Sequence, residues 1–221
     1  MSVWAILVAA GRGERLGLDQ PKAFARLGEE PLLAEPLRRL DDSECVDAIV
    51  VVAPAGWEEP AILLAEELGC GKVSACVAGA ATRAGSVRAG LAEVPGDAVV
   101  VLVHDAARPL LPAEVIERVL APLSEGWDGA VPGLPVADTL KRVAGDGAVA
   151  ETVSRDGLYA VQTPQAFPAD VLRAAAGRGG DASDCAGLVE AGGGRVKIVP
   201  GDPRLLKVTT AEDLATVASW L

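Results

Sequence analysis

Val99-Val100-Val101-Leu102-Val103 is an unbroken run of branched apolar residues with no polar position on either face. A strand with one wet face alternates apolar and polar residues, so a continuous run marks a strand covered on both faces, as in a parallel sheet between two helical layers. Working outward, similar runs at Trp4–Ala9, Ala48–Ala53 and Val73–Val77 precede the full strand Ala98–His104, and Gly129–Val131 follows it. Between these lie stretches with helical spacing at Leu32–Leu40, Trp57–Leu68, Arg83–Glu93 and Pro112–Leu123. Pro112 with Glu114 just inside the last of them is a sound helix start. Strand and helix alternating in this way predict an α/β fold with a doubly wound, mostly parallel sheet.

The pattern changes after Pro132. Val136–Val143 and Val149–Val153 flank the turn Gly145-Asp146-Gly147, which predicts a β-hairpin. That hairpin has few apolar residues for a core of its own, so residues 136–155 are expected to project as an arm and pack on a second subunit. Helices near Pro168–Ala176 and Asp184–Ala191, strands at Arg195–Val199 and Leu205–Val208, and a last helix at Ala211–Trp220 complete the chain. Gly177–Asp181 is the best candidate for a mobile loop. With no long linker and no internal repeat, residues 1–221 read as a single domain with an arm.

Half of the 221 residues are hydrophobic and 23% are charged, the composition of an ordinary globular protein. No apolar run approaches the roughly 18 residues of a membrane helix. Met1-Ser2-Val3-Trp4 lacks the basic opening of a signal peptide, so the expected location is the cytoplasm. A net charge of −11 has the wrong sign for a general nucleic-acid or anionic-membrane binder. The four cysteines form no CxxC pair and read as buried free thiols, and a single histidine, His104, excludes a histidine-rich metal site.

In so acidic a chain the position of each cation is informative. The first strand runs into Ala9-Ala10-Gly11-Arg12-Gly13-Glu14-Arg15-Leu16-Gly17, then Pro21-Lys22. Open α/β sheets bind ligands at the carboxyl ends of their strands, which is where this loop falls. Its glycines allow backbone N–H groups to approach phosphate oxygens, and Arg12, Arg15 and Lys22 supply the charge that a triphosphate cleft requires. Neither G-x-x-x-x-G-K-[ST] nor a dinucleotide G-x-G-x-x-G is present.

The loop resembles the signature of the sugar-phosphate nucleotidyltransferase superfamily, A-A-G-x-G-x-R followed by P-K. Gly79–Val87, Val103-His104-Asp105-Ala106-Ala107-Arg108-Pro109, Asp138–Arg142, Thr152–Arg155, Gln162–Gln165 and Lys207-Val208-Thr209 are similar, in order, to blocks of its cytidylyltransferase branch. These blocks cover nearly the whole chain and identify it as resembling the 2-C-methyl-D-erythritol 4-phosphate cytidylyltransferase family, with the ribitol-5-phosphate enzymes as close relatives. The resemblance implies a Rossmann-like fold, a homodimer, Mg²⁺ as cofactor, and CTP and methylerythritol phosphate as substrates.

It also implies roles. Arg15 and Lys22 hold the triphosphate, and Lys207 reaches the same α-phosphate from the other side. Taken alone, Lys207 reads as a snorkelling lysine at a strand end. Asp105 lies beside the reacting phosphates and the metal, while His104 reads as a structural hydrogen-bonding residue. Backbone of Ala9, Ala10 and Gly11 reads cytosine together with the Ser86 hydroxyl; Gly13, Gly79, Ala80, Arg83 and Ala106 complete the nucleotide site. Arg108, Thr139, Arg155 and Thr163 match positions that grip the acceptor, Thr139 and Arg155 reaching a partner subunit from the arm.

Two departures stand out: Ala80-Ala81 where a further glycine and an acidic residue are usual, and Cys185 in place of a carboxylate after Asp184. Altered affinities are expected from them, with activity retained. The competing readings are a ribitol-5-phosphate enzyme, another superfamily member with a different nucleotide or a molybdenum-cofactor substrate, and a nucleotide sensor without turnover.

Overall fold

The computed structural model describes Ser2–Leu221 except Arg12, Glu14, Arg15, Leu16, Leu18 and Asp181. Among the described residues the elements in chain order are β1 (Val3–Val8), β2 (Arg26–Leu27), β3 (Glu30–Pro31), α1 (Ala34–Asp41), β4 (Ala48–Ala53), α2 (Glu58–Glu67), β5 (Val73–Ala78), α3 (Arg83–Glu93), β6 (Val100–Asp105) and α4 (Ala113–Leu120). There follow β7 (Gly129–Pro135), β8 (Leu140–Val143), β9 (Val149–Val153), β10 (Tyr159–Val161), β11 (Gln165–Pro168), α5 (Ala169–Gly177), α6 (Cys185–Ala191), β12 (Val196–Pro200) and α7 (Ala211–Ala218).

Strands β5, β4, β1 and β6 lie side by side and parallel. Next comes β11, antiparallel to both β6 and β7. β7 then carries β12 in parallel along Gly129–Gly133 and β10 in antiparallel along Gly133–Pro135. The sheet is thus the mostly parallel, Rossmann-like one expected. β6 is its central strand, and all six of its residues are buried.

Alternation along β1 divides the core. Val3, Ala5 and Leu7 face one layer with Leu37 and Leu40 of α1, Leu64 of α2 and Ile116 of α4. Ile6 faces the other, with Val87 and Leu91 of α3, Leu172 of α5 and Leu188 of α6. Three helices on each face keep every central strand dry, which is why the apolar runs are continuous. Helix α7 closes a separate small cluster of Leu27, Leu32, Leu110, Val208 and Val217.

The hairpin β8–β9 forms its own two-stranded sheet and contributes no buried residue. Two expectations need correction. Leu205–Val208 is not a strand: Pro203–Leu205 is a 3-10 turn, and the segment beyond it is held by the Val208 N–H donating to the Ala107 carbonyl at 2.8 Å, not by a ladder. The second is an omission, since β11 is a sheet strand hidden between Pro164 and Pro168. The Thr163–Pro164 peptide is cis.

Phe167 on β11 is fully buried against the second face, and Gly129 leaves it room; a Cβ there would meet two ring carbons at 2.6 Å. Phe167→Ala should destabilise the protein by about 3–5 kcal/mol. Denaturant unfolding that shifts by less than about 1 kcal/mol would mean β11 is not part of the cooperative core.

Candidate active site

The carboxyl ends of β1, β4, β5 and β6 open onto one cleft of about 840 Å³. Lys22, Arg83, Asp105 and Lys207 line it, as do Ala9, Ala10, Gly11, Gly79, Ala80, Ser86 and Ala106. Of the charged residues expected at the nucleotide site, Arg15 lies outside the described residues, as does Arg12. Gly13 does not line the cleft but shapes it: it has φ +69°, and a Cβ there would stand 2.6 Å from Lys22 Cβ. Only glycine lets the loop pass that close to the lysine.

The base end is built from backbone in close contact. A Cβ on Gly79 would fall 2.1 Å from Ala10 Cβ, so the end of β5 and the loop after β1 touch. The Ala9 N–H donates to Val52 O and the Gly79 N–H to Ala53 O, each at 2.8 Å. Ser86 is 2% exposed. Its hydroxyl accepts from the Ala80 N–H at 3.0 Å and donates to Thr82 O at 3.0 Å, so it shapes the loop that faces the base. Thr82 caps α3, accepting from the Gly85 N–H at 3.0 Å.

At the other end Asp105 joins two cations. Its Oδ1 accepts from Arg83 Nε at 3.0 Å and its Oδ2 from Lys207 Nζ at 2.7 Å. Burial pushes the carboxyl pKa up, but the facing charges of Arg83 and Lys207 overcome it and hold the group well below the usual carboxylate range. The Lys22 Nζ donates to the carbonyl of Val208 at 3.0 Å, next in the chain to Lys207. The two lysines that sequence reading paired are thus brought to one wall.

Cys185 Sγ lies 3.4 Å from Arg83 Nη1 and accepts from it. Burial pushes this thiol up to about 11, with Arg83 opposing, so it stays neutral. Asp105 is then the anion that Arg83 faces here, which is what the departure at position 185 changes. All four cysteines are unpaired thiols.

The expected acceptor residues divide. Arg108 is half-buried beside the cleft, its guanidinium donating to Leu205 O at 2.6 Å and Val161 O at 3.4 Å. Thr139 and Arg155 are exposed at the base of the arm and do not line this cleft. Thr163 is 3% exposed, and its hydroxyl is engaged inside the protein, against expectation for a substrate contact. It accepts from the Asp105 N–H at 3.0 Å and pairs with His104 Nδ1 at 3.0 Å. His104 is fully buried, and burial lowers its pKa to about 4, consistent with a structural role.

Trp57 has no counterpart among the expected site residues; it lines the cleft and packs against Phe24 with ring centroids 4.6 Å apart and planes tilted by 42°. Pro54-Ala55-Gly56-Trp57 follows β4 directly, and the same carboxyl-end rule that singled out the first loop applies to it.

Among the described residues no group of three potential metal ligands exists. Asp105 does fit as one hard ligand for Mg²⁺, because it is ionised, lines the cleft, and each oxygen has a second lone pair. Further ligands would have to come from water or a bound substrate.

An apolar backbone floor at one end and cations around a carboxylate at the other suit a nucleoside triphosphate, and the architecture is that of a nucleotidyltransferase. The family model of 2-C-methyl-D-erythritol 4-phosphate cytidylyltransferase (IspD) matches residues 3–221. A protein of that name from Saccharopolyspora erythraea is 51% identical over 225 residues, covering all of both chains. One from Nocardia farcinica is 48% identical over all of this chain and 94% of its own. The crystal structure of the Thermus thermophilus protein of that name superposes with a TM-score of 0.79 at 33% identity, covering 100% of this chain and 98% of that one. The chain belongs to the 2-C-methyl-D-erythritol 4-phosphate cytidylyltransferase family.

Asp105→Asn keeps the shape and removes the charge between two cations. Arg83 then stays largely buried without its anion, a loss of about 3 kcal/mol, or roughly 6–12 °C in Tm for a chain of this size. Lys207→Met should cost under about 1 kcal/mol, because the lysine is 40% exposed. Equal Tm values for the two variants in calorimetry would contradict this ordering.

Proposed function

We propose that the chain transfers CMP from CTP to 2-C-methyl-D-erythritol 4-phosphate, giving 4-diphosphocytidyl-2-C-methyl-D-erythritol and pyrophosphate, a step of non-mevalonate isoprenoid precursor synthesis. The observation that carries this reading is the convergence of Lys22, Lys207, Arg83 and Asp105 at one end of a cleft whose other end is close-packed backbone.

A phosphate oxygen of the acceptor attacks the α-phosphorus of CTP; that P–O bond forms as the bond to pyrophosphate breaks. The nucleophile is already anionic, so no general base is needed. The barrier is lowered by alignment and by neutralising charge on the phosphoryl oxygens. Lys22 and Lys207 neutralise the α-phosphate, with Arg15 on the triphosphate. Asp105 keeps Lys207 in place, and with the phosphates it would hold Mg²⁺, which would supply further charge neutralisation. Cytosine lies against Ala9, Ala10, Gly11, Gly79 and Ala80, its amino group donating to a carbonyl where uracil offers only an acceptor.

The acceptor lies toward Arg108 and the arm of a second copy. Val143 and Val149 on the arm are 55% and 59% exposed, and Leu158, Tyr159 and Val161 on and beside edge strand β10 are also exposed. An isolated two-stranded sheet is marginal in water, and exposed apolar residues on an edge invite a partner. A homodimer covers them and brings Thr139 and Arg155 to the partner's cleft.

Pyrophosphate release with Mg²⁺ and CTP should be strong with methylerythritol phosphate and at least about tenfold weaker in kcat/KM with ribitol 5-phosphate; the reverse preference would overturn the acceptor assignment. Lys22→Ala should lower kcat by about 10²–10³-fold while CTP affinity falls less than tenfold. Equal losses in both would favour a nucleotide-binding module. Sedimentation should give a dimer that Val143→Asp with Val149→Asp dissociates, raising KM for the acceptor. A fully active monomer on dilution would exclude the composite site.

A further inference from the structure

The block Gln162-Thr163-Pro164-Gln165 holds three polar side chains that are 5%, 3% and 1% exposed. Groups this deep must find partners inside the protein, and each finds one on a different segment of the active site.

Gln162 donates from Nε2 to the Asp202 carbonyl at 2.9 Å and accepts at Oε1 from the Asp202 N–H at 3.0 Å. Asp202 begins the turn that leads to Lys207. Gln165 accepts at Oε1 from the N–H of Cys185 at 3.0 Å and donates from Nε2 to Asp184 at 2.8 Å. It thereby seats the thiol that Arg83 reaches. Thr163 takes the N–H of Asp105 itself.

The proton count along the Thr163 branch is determined. The Arg108 carbonyl can only accept, so His104 Nε2, 3.0 Å away, carries the ring hydrogen. In the neutral ring Nδ1 then offers its lone pair, and the Thr163 hydroxyl donates to it. That leaves the threonine oxygen to accept from Asp105. The hydrogen bonds run in one direction, Asp105 N–H to Thr163 to His104, and His104 to Arg108. No hydrogen of Thr163 remains for a substrate.

We propose that Thr163 and His104, flanked by Gln162 and Gln165, are positioning residues. They fix Asp105, and through it the Lys207–Asp105–Arg83 bracket, without touching CTP or the acceptor. This rests on the cytidylyltransferase reading and replaces the acceptor contact that resemblance suggested for Thr163. A carboxylate displaced by even about 1 Å carries Lys207 with it, and misplacement of that size costs about 10²-fold in rate.

His104 is the only histidine of the chain, so ¹⁵N NMR of untagged protein near neutral pH reports its ring without ambiguity. The expected result is the Nε2–H tautomer with Nδ1 as acceptor; an Nδ1–H tautomer or a doubly protonated ring overturns the proposal, whatever the substrate proves to be. In steady-state kinetics Thr163→Val should lower kcat by about 10–100-fold, with KM for both substrates within about threefold. Thr163→Ser, which keeps the hydroxyl, should recover kcat to within about threefold and retain the tautomer. A raised acceptor KM with kcat kept would make Thr163 a direct substrate contact and sink the idea. Should Thr163→Val not fold, a serine variant that loses either the rate or the tautomer does the same. Absence of turnover by the wild type with either acceptor would fault the functional reading and leave the tautomer test standing.

Discussion

A carboxylate that is 7% exposed stays ionised at Asp105 because Arg83 and Lys207 face its two oxygens. Taking a carboxylate out of water costs several kcal/mol unless charge and hydrogen bonds compensate. The fold supplies both cations from distant points of the chain, position 83 at the start of α3 and position 207 beyond the last strand. Asp105 ends the central strand β6, all of whose residues are buried, so the bracket stands on the core of the sheet. Nucleotide chemistry follows from that arrangement, since cations held at fixed points need little reorganisation when a triphosphate arrives.

The bulk charge of the protein makes the local arrangement more telling. With a net charge of −11, long-range attraction for CTP is absent, and binding must come from short-range contacts inside the cleft. Among the described residues three cations, Lys22, Arg83 and Lys207, line it against two carboxylates, Asp19 and Asp105. Cys185 adds to this balance. A neutral thiol beside Arg83 leaves its guanidinium charge less compensated than a second carboxylate would.

Much of this was legible in the residues, and the exceptions have physical causes. Apolar runs such as Val100–Val103 report two-sided burial directly, so the parallel core of the sheet could be read, whereas Val99, at the head of the run, precedes the strand and is 48% exposed. β11 could not be read, because a four-residue strand that follows one proline and ends on another carries no period, and its strand character comes from slotting between β6 and β7. Leu205–Val208 has strand-like composition but no neighbouring edge to pair with, so tertiary contacts decided its form. Lys207 taken alone reads as a snorkelling lysine, and only its place in a motif drew attention to it, whereas the cleft at the carboxyl end of β1 was readable because ligands of open α/β sheets bind there. Thr163 was not: a threonine beside an active-site strand looks the same whether its hydroxyl points out to a ligand or in to a histidine. Thr139 and Arg155 sit on the arm, exposed and away from the cleft, so the geometry of one chain does not bring them to it.

The central claim is that the cation cleft is assembled before substrate binds and that Lys22 and Lys207 meet on one phosphate. A crystal structure with Mg²⁺ and a CTP analogue blocked at the bridge between α- and β-phosphate tests it most directly. The account predicts the α-phosphate within hydrogen-bond reach of both lysines, with the base against Ala10 and Gly79 and the Asp105–Arg83 pair unmoved. A triphosphate bound with the two lysines on different phosphates, or an Asp105 swung away from Arg83, would contradict it.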